Sequence, residues 1–164
     1  MLELVQDDEV DDDWPFRSRG EPRLRPSAGS RLAAVRRAFY ESAFAAIGTG
    51  REARVATYVR AVPGTDVEAA HALLAQYTQE QRWRVSRERF TDPPAGLPPG
   101  RRPALIGACR HAGSGYADGI LVSDRTALPA ADETYESYLR WLHDRFAFIA
   151  FLPPAYKGQR CDAP

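Results

Sequence analysis

The residues that could do chemistry lie in three loops, each of which follows a predicted β-strand. The loops cover residues 60–66, 91–102 and 123–132, and they contain arginines and carboxylates. In a parallel sheet such loops meet beyond the carboxyl ends of the strands, where ligands bind. A planar guanidinium group matches the oxygen atoms of a phosphate, so arginines placed there are typical of an anion site. The sequence therefore predicts that any functional site lies at this end of the sheet.

Short motifs in these loops resemble those of the N-terminal catalytic domain of serine recombinases, the resolvase and invertase family. The first reads Tyr58-Val59-Arg60-Ala61-Val62, where the family has Tyr-x-Arg-Val-Ser. The second contains Asp92 and Gly96, with Arg102 just ahead of a leucine-bearing helix, and the third reads Asp124-Arg125-Thr126-Ala127-Leu128. The motifs occur in the family's order and spacing within residues 54–154.

The resemblance implies a set of residues around a DNA phosphate. In the family, arginines stabilise charge while a serine hydroxyl attacks phosphorus. The matching candidates in this chain are Arg60, Asp92, Arg102, Asp124 and Arg125. Their presence keeps open a residual phosphate-binding or phosphoryl-transfer function. They are also explained by a buried ion network that holds the loops together, because three arginines face two or three carboxylates, counting Asp66.

The residue that would do the family's chemistry is missing. Val62 stands at the position of the nucleophilic serine, and Leu128 replaces a further arginine of the family. Valine has no nucleophilic atom, so we expect no enzyme activity at this position. Two hydroxyls could substitute, but Ser123 belongs to a different strand and Thr65 is expected to cap a helix.

Alternating apolar segments and helical stripes predict the elements that position these loops. The predicted strands are 54–60, 83–90, 119–123 and 146–152, and the predicted helices between them are 65–81, 103–112 and 132–145. Thr65 with Glu68 indicates a capping box at the first of these helices, and Asp132 is the expected cap of the last. Strands separated by helices predict an α/β class with right-handed crossovers. The resemblance implies a resolvase-like three-layer domain with a four-stranded, mostly parallel sheet of order 2-1-3-4, and apolar residues at helical spacing after Ser30 predict an additional N-terminal helix.

Composition divides the chain into four parts. Residues 1–29 are predicted to be a disordered tail, first acidic and then rich in arginine and proline. Residues 30–50 are predicted to form an amphipathic helix, residues 54–154 the resolvase-like domain, and residues 155–164 a second tail. Positions 7–13 hold six acidic residues. This run could shield a basic surface, bind a partner or remain a solvated tail.

The charge, the cysteines and the histidines limit which ligands and cofactors we expect. The chain has 22 basic and 22 acidic residues, so its overall field does not attract nucleic acid. Two distant cysteines form neither a disulfide framework nor a metal motif, and we expect no cofactor and no metal. His71, His111 and His143 are predicted on the surface or on helix faces. No signal peptide or membrane span is visible, so we expect a cytoplasmic protein that does not bind membranes.

Two classes of function remain. The first is a catalytically inactive, recombinase-like protein that acts as an interaction or regulatory scaffold, with a protein partner, little or no DNA binding of its own, and homodimerisation left open. The second is a domain that binds phosphate through Arg60, Arg102 and Arg125. Val62 and Leu128 favour the first, and the three arginines favour the second.

Overall fold

The central feature of the fold is a four-stranded parallel sheet with helices on both faces. The computed structural model describes residues 25–94 and 101–158. Its elements are α1 (Ala28–Ile47), β1 (Arg54–Arg60), α2 (Val67–Glu80), β2 (Arg84–Asp92), α3 (Pro103–Gly113), β3 (Gly119–Val122), α4 (Asp132–His143) and β4 (Phe148–Phe151). The strand order is β2-β1-β3-β4, and every neighbouring pair is parallel. This arrangement confirms the predicted fold class and strand order.

The two faces of the sheet carry separate apolar layers because successive side chains of a strand point to opposite sides. Ile120 of β3 packs with Leu105 of α3 and Leu139 of α4 on one face. On the other face, Leu121 packs with Leu74 of α2. All five side chains are at most 3% exposed, and burying one such leucine or isoleucine contributes roughly 1.5–3 kcal/mol. The result is the three-layer arrangement that the sequence predicted.

Helix α1 covers the β4 side of the sheet. Its Leu32 belongs to one apolar layer and its Ala43 to the other, and Arg36 donates to the carbonyl oxygen of Ile149. The helix begins at Ala28, two residues before the predicted start, because the Ser27 hydroxyl caps it by accepting from the Ser30 amide at 3.1 Å. At the other end Gly48 has a φ of 69°, a left-handed conformation that favours glycine.

Both predicted helix caps differ from the observed ones. At α2 the cap is Asp66, which accepts from the Ala69 amide at 3.0 Å, and Thr65 instead accepts from the Val62 amide. At α4 the residue before the helix is Ala131, which has no side-chain cap. Asp132 is already the first helical residue, where a negative charge is favourable at the helix N-terminus.

Strand ends also differ from the prediction. β2 continues to Asp92 because Val59 and Arg60 of β1 still pair with its last two residues. β4 starts only at Phe148, since Phe146 has a positive φ and is 67% exposed.

The tail predicted at residues 1–29 falls mostly outside the described residues, as does most of the tail at 155–164. In residues 25–94 and 101–158, no helix combines the length and apolar character needed to cross a membrane.

Candidate functional site

The loop where the family's nucleophile would stand borders a small pocket at the carboxyl ends of the strands. Val62 is 52% exposed, and the turn after it is closed by the Thr65 amide, which donates to the Val62 carbonyl at 2.9 Å. The pocket has a volume of about 360 Å³, and its polar lining comes from Arg60, Thr65, Ser123 and Thr126. The structure therefore brings Ser123 into the same pocket as Val62, although the two residues follow different strands.

Arginines from three separate places converge on one short stretch of backbone after β3. Arg60, at the end of β1, donates to the Thr126 carbonyl at 3.5 Å. Arg102, just before α3, donates to the Ala127 carbonyl. Arg125 donates to the carbonyls of Pro129 and Ala130. Residues 126–130 comprise the end of a 3₁₀ turn and the loop that follows it, so their carbonyl groups have no sheet or α-helix ladder to join. The three guanidinium groups supply the donors that this segment needs.

Arg125 is the most firmly held of the three. Besides its two carbonyl bonds, it contacts the Asp132 carboxylate at 3.3 Å. Its guanidinium also lies 4.0 Å from the ring centroid of Tyr135, a cation–π contact. These contacts tie the loop after β3 to the first turn of α4. They also direct much of the guanidinium's bonding capacity toward the protein itself.

Asp92 is a buried structural anchor. Its carboxylate accepts from the Tyr58 hydroxyl at 2.9 Å and from the amides of Ala104 and Leu105 at 2.9 and 3.2 Å. It is 3% exposed and lies in β2, not in the loop that the sequence indicated. Burial, followed by the hydrogen bond to Asp92, raises the pKa of Tyr58, while nearby Arg102 opposes the rise. Asp92 therefore fixes the start of α3 against the central strand.

Asp124 shapes the loop that the arginines bind. It precedes a 3₁₀ turn at Arg125–Ala127, and one carboxylate oxygen accepts from the Thr126 amide at 2.8 Å and from the Thr126 hydroxyl. All five predicted residues thus border the carboxyl end of the sheet. Arg60, Arg102 and Arg125 share one backbone segment, which Asp124 shapes, whereas Asp92 faces the protein interior.

His71 is a polar residue whose importance the sequence prediction missed. It was expected on the surface or on a helix face, and the structure places it on a buried face of α2, 2% exposed. Its Nδ1 lies 2.8 Å from the Thr57 hydroxyl of β1, and its Nε2 lies 2.8 Å from the Thr91 hydroxyl of β2. Burial, with a smaller contribution from the charge of Arg89, lowers the pKa of His71. Its spacing from Val67, Leu74 and Thr78 places it on the inner face of α2, and that spacing could have revealed its position.

The other two histidines also make specific contacts. His111 lies 2.8 Å from the Ser86 hydroxyl, and its ring stacks on Tyr116. His143 stacks on Phe39 with a centroid distance of 3.9 Å. Within the part of the chain that the structure describes, no three histidine, cysteine, aspartate or glutamate side chains gather as metal ligands do.

Comparison with solved structures identifies a similar fold. The chain is similar to the N-terminal catalytic domain of TP901-1 integrase, with a TM-score of 0.50 and 20% sequence identity, covering 60% of this chain and 76% of that one. The chain has a serine-recombinase-like fold. No model of a protein family matches this sequence, and no curated protein does either.

At 20% sequence identity the similarity shows a shared fold and does not assign roles to single residues. What each residue of the recombinase-like domain can do is therefore argued from its geometry. The geometry places an exposed valine beside Arg60 and Ser123 at the carboxyl end of the sheet. It also places Arg102 and Arg125 on backbone carbonyls of the following loop. What this end of the recombinase-like domain can do depends on how much of its positive charge stays available to a ligand.

Proposed function

We propose that this protein uses its recombinase-like fold as a catalytically inactive scaffold for interactions with other proteins. The observation that carries the proposal is Val62. It occupies the exposed position after β1 that the resemblance assigns to the nucleophile, and its side chain has no atom that can attack phosphorus. The hydrogen bonds of Arg102 and Arg125 to the loop after β3 also support the proposal. Because these guanidinium groups stabilise the fold, they are less available to a phosphate.

The first test is chemical. Purified protein incubated with DNA that contains recombination sites is expected to give no strand cleavage and no covalent protein–DNA adduct on a denaturing gel. Val62→Ser is expected to remain inactive, because Leu128 also removes an arginine of the family. Cleavage or an adduct in the unmodified protein would contradict the proposal.

A second candidate function is residual binding of phosphate, and Arg60 favours it. Arg60 is exposed, and its bond to the Thr126 carbonyl is long at 3.5 Å. Arg60 lines the pocket together with Ser123 and Thr126. For the scaffold proposal we expect phosphate to bind with a Kd in the millimolar range or weaker, about 4 kcal/mol or less.

Titration of phosphate and short DNA duplexes at low salt separates the two functions. Micromolar, salt-sensitive binding that disappears in Arg60→Ala and persists in Arg37→Ala would favour the phosphate site. Arg37 is a suitable control because it is an exposed arginine on α1. If the unmodified protein does form a DNA adduct, Ser123→Ala tests which hydroxyl carries it. An adduct that disappears in Ser123→Ala would assign a nucleophilic role to Ser123.

The scaffold proposal also requires a protein partner. Affinity capture from the native host identifies candidates, and reconstitution with the purified candidate then tests direct binding. Analytical ultracentrifugation of the protein alone determines whether a second copy is the partner. A monomer that binds no protein but does bind phosphate tightly would overturn the scaffold proposal.

A further inference from the structure

The sheet face that α2 covers is left partly open at the carboxyl end of β3. On this face α2 packs against β1 and β2, and α1 packs against β4 at the opposite edge. The apolar layer between them includes Val59 of β1 and Leu152, which follows β4, and both residues line the pocket beside Val62. The volume of this pocket, about 360 Å³, is at the lower end of the range for small-molecule sites. The fold therefore leaves room for a ligand of about ten non-hydrogen atoms.

Most of the pocket lining is aliphatic. Seven of the eleven residues that line it are valine, leucine or alanine. Leu74 and Leu152 are at most 5% exposed, Leu73 of α2 is half-buried, and Val62 is exposed. A bare phosphate or a DNA backbone is poorly matched to such a surface, because polar groups that face it lose their water without gaining a partner. The lining favours a ligand with an apolar part.

Two hydroxyl groups of the pocket can donate hydrogen bonds to a ligand. Ser123 follows Leu121 by two positions, so it shares with Leu121 the face of the sheet that α2 covers. The Thr65 hydroxyl oxygen accepts from the Val62 amide at 3.0 Å, and its own proton is left to donate. The pocket therefore combines an aliphatic lining with donors from two different loops.

The charge of the pocket lining is positive. Among the described residues that line it, Arg60 is the only charged one, and none is an aspartate or a glutamate. Arg60 donates to the Thr126 carbonyl at a long 3.5 Å, and a guanidinium has five N–H groups to offer. The acids beside the pocket, Asp66 and Asp124, accept from the amides of Ala69 and Thr126. An ionised carboxylate, which only accepts hydrogen bonds, matches both the donors and the charge.

We propose that this pocket binds a small monocarboxylate with a short aliphatic tail, about the size of octanoate. The carboxylate accepts from the hydroxyls of Ser123 and Thr65 beside Arg60, and the tail lies against the aliphatic lining contributed by α2. A single negative charge suits the one guanidinium group of the lining, whereas inorganic phosphate has no tail to bury. The inference rests on the second candidate function, the binding of an anion beside Arg60, and it names the ligand.

Isothermal titration calorimetry of the full chain with a series of carboxylates tests the proposal. Full burial of one methylene group tightens binding by up to about fourfold. We expect octanoate to bind at least about tenfold more tightly than butanoate, with a Kd of roughly 0.1–1 mM. Acetate and inorganic phosphate are expected to bind more weakly than octanoate. Octylammonium, which has the same tail and the opposite charge, is expected to bind at least about tenfold more weakly than octanoate.

Two pairs of variants locate the ligand. Arg60→Ala is expected to weaken octanoate binding by about tenfold, whereas Arg37→Ala, at an exposed position on α1, leaves it unchanged. Leu73→Asn is expected to reduce the difference between octanoate and butanoate to less than about threefold, whereas Ala72→Asn, at an exposed position on the same helix, keeps it. Circular dichroism verifies folding. If Leu73→Asn does not fold, amide chemical shifts of Leu73 and Ser123 in the unmodified protein, measured by NMR during the octanoate titration, locate the tail instead.

Several results would overturn the proposal. Equal affinities for octanoate and butanoate would remove the tail from it, and equal affinities for octanoate and octylammonium would remove the charge. Equal losses in Arg60→Ala and Arg37→Ala, or chemical shift changes confined to residues outside the pocket, would place the ligand elsewhere. Phosphate that binds more tightly than octanoate, and is lost in Arg60→Ala, would contradict the proposed ligand and leave the second candidate function in place. The scaffold proposal is tested separately by the DNA cleavage assay, whose result does not change the expected affinity for octanoate.

Discussion

Arginines gather at two places in this domain, at the carboxyl ends of the strands and along the β2 edge, and the two groups bond differently. At the first, Arg102 and Arg125 donate to backbone carbonyls of the loop after β3. At the second, Arg82 and Arg87 are exposed and unpaired among the described residues. An irregular loop offers carbonyl groups that need donors, and a guanidinium offers five N–H groups.

The comparison shows that a cluster of arginines does not by itself indicate a ligand site. At the carboxyl ends of the strands the charge is largely committed to the fold, although the pattern there resembles a phosphate site. Along residues 82–89 the sequence contains no family motif, yet the guanidinium groups of Arg82 and Arg87 form no ion pair among the described residues.

The largest effect is expected for Asp92→Ala. The change leaves the Tyr58 hydroxyl and two amides of α3 without their acceptor in a buried place. Each unsatisfied buried group costs about 1–3 kcal/mol, so we expect the free energy of unfolding to fall by about 3–5 kcal/mol in urea denaturation. A loss below about 1 kcal/mol would mean that water replaces the carboxylate and that Asp92 is not an anchor.

A smaller loss is expected for Arg125→Ala. The variant loses the bonds to Pro129 and Ala130 and the contact with Tyr135. We expect the free energy of unfolding to fall by about 1–2 kcal/mol, since the arginine is partly exposed. Arg87→Ala is the matched control and is expected to change it by no more than about 0.5 kcal/mol. Equal losses in the two variants would remove the distinction between the two arginine groups.

The lowered pKa of His71 predicts that the free energy of unfolding depends on pH. Its pKa in the folded protein is lowered from the ordinary 6.5 by burial. Below pH 6.5 the unfolded chain therefore binds the proton more readily, and the free energy of unfolding decreases as the pH falls toward the lowered pKa. The slope contributed by one such group is at most about 1.4 kcal/mol per pH unit.

Urea denaturation between about pH 5 and pH 8 measures this slope. His71→Gln removes the titrating group and keeps a side chain that can hydrogen-bond to Thr57 or Thr91. We expect the slope just below pH 6.5 to flatten in this variant, whereas above pH 6.5 both proteins keep a nearly constant stability. An unchanged slope would show that other groups set the acid sensitivity.

The smallest effect is expected for Val62→Ser. The side chain is 52% exposed, so the free energy of unfolding is expected to change by no more than about 0.5 kcal/mol. Thermal denaturation measures this change, and the DNA cleavage assay is expected to stay negative. Cleavage by the variant would mean that the nucleophile alone was missing and that the arginines beside it are still arranged for catalysis.

Local patterns in the sequence were enough to predict the class of the fold and the order of its elements: the apolar run of β3 and the helical stripe of α2 require no knowledge of the rest of the chain. The order of the strands was implied by the resemblance to serine recombinases, and the structure confirms it. The motif around Arg60 also located the candidate site at the carboxyl ends of the strands. Whether Val62 abolishes catalysis, and whether the arginines bind phosphate, stay predictions.

The bonding partners of the polar side chains could not be predicted from the sequence and are seen in the folded structure. Asp92 looked like a loop residue but extends β2 and holds α3, because pairing with β1 continues to that position. His71 was predicted on the surface or on a helix face, and the structure shows that it bridges two strands, because α2 turns that face toward the sheet. Arg87 is exposed because β2 lies at an edge of the sheet, and Arg82 is exposed in the turn that precedes this strand. These partners come from distant parts of the chain, and distances between such parts are set by packing, which local sequence patterns do not contain.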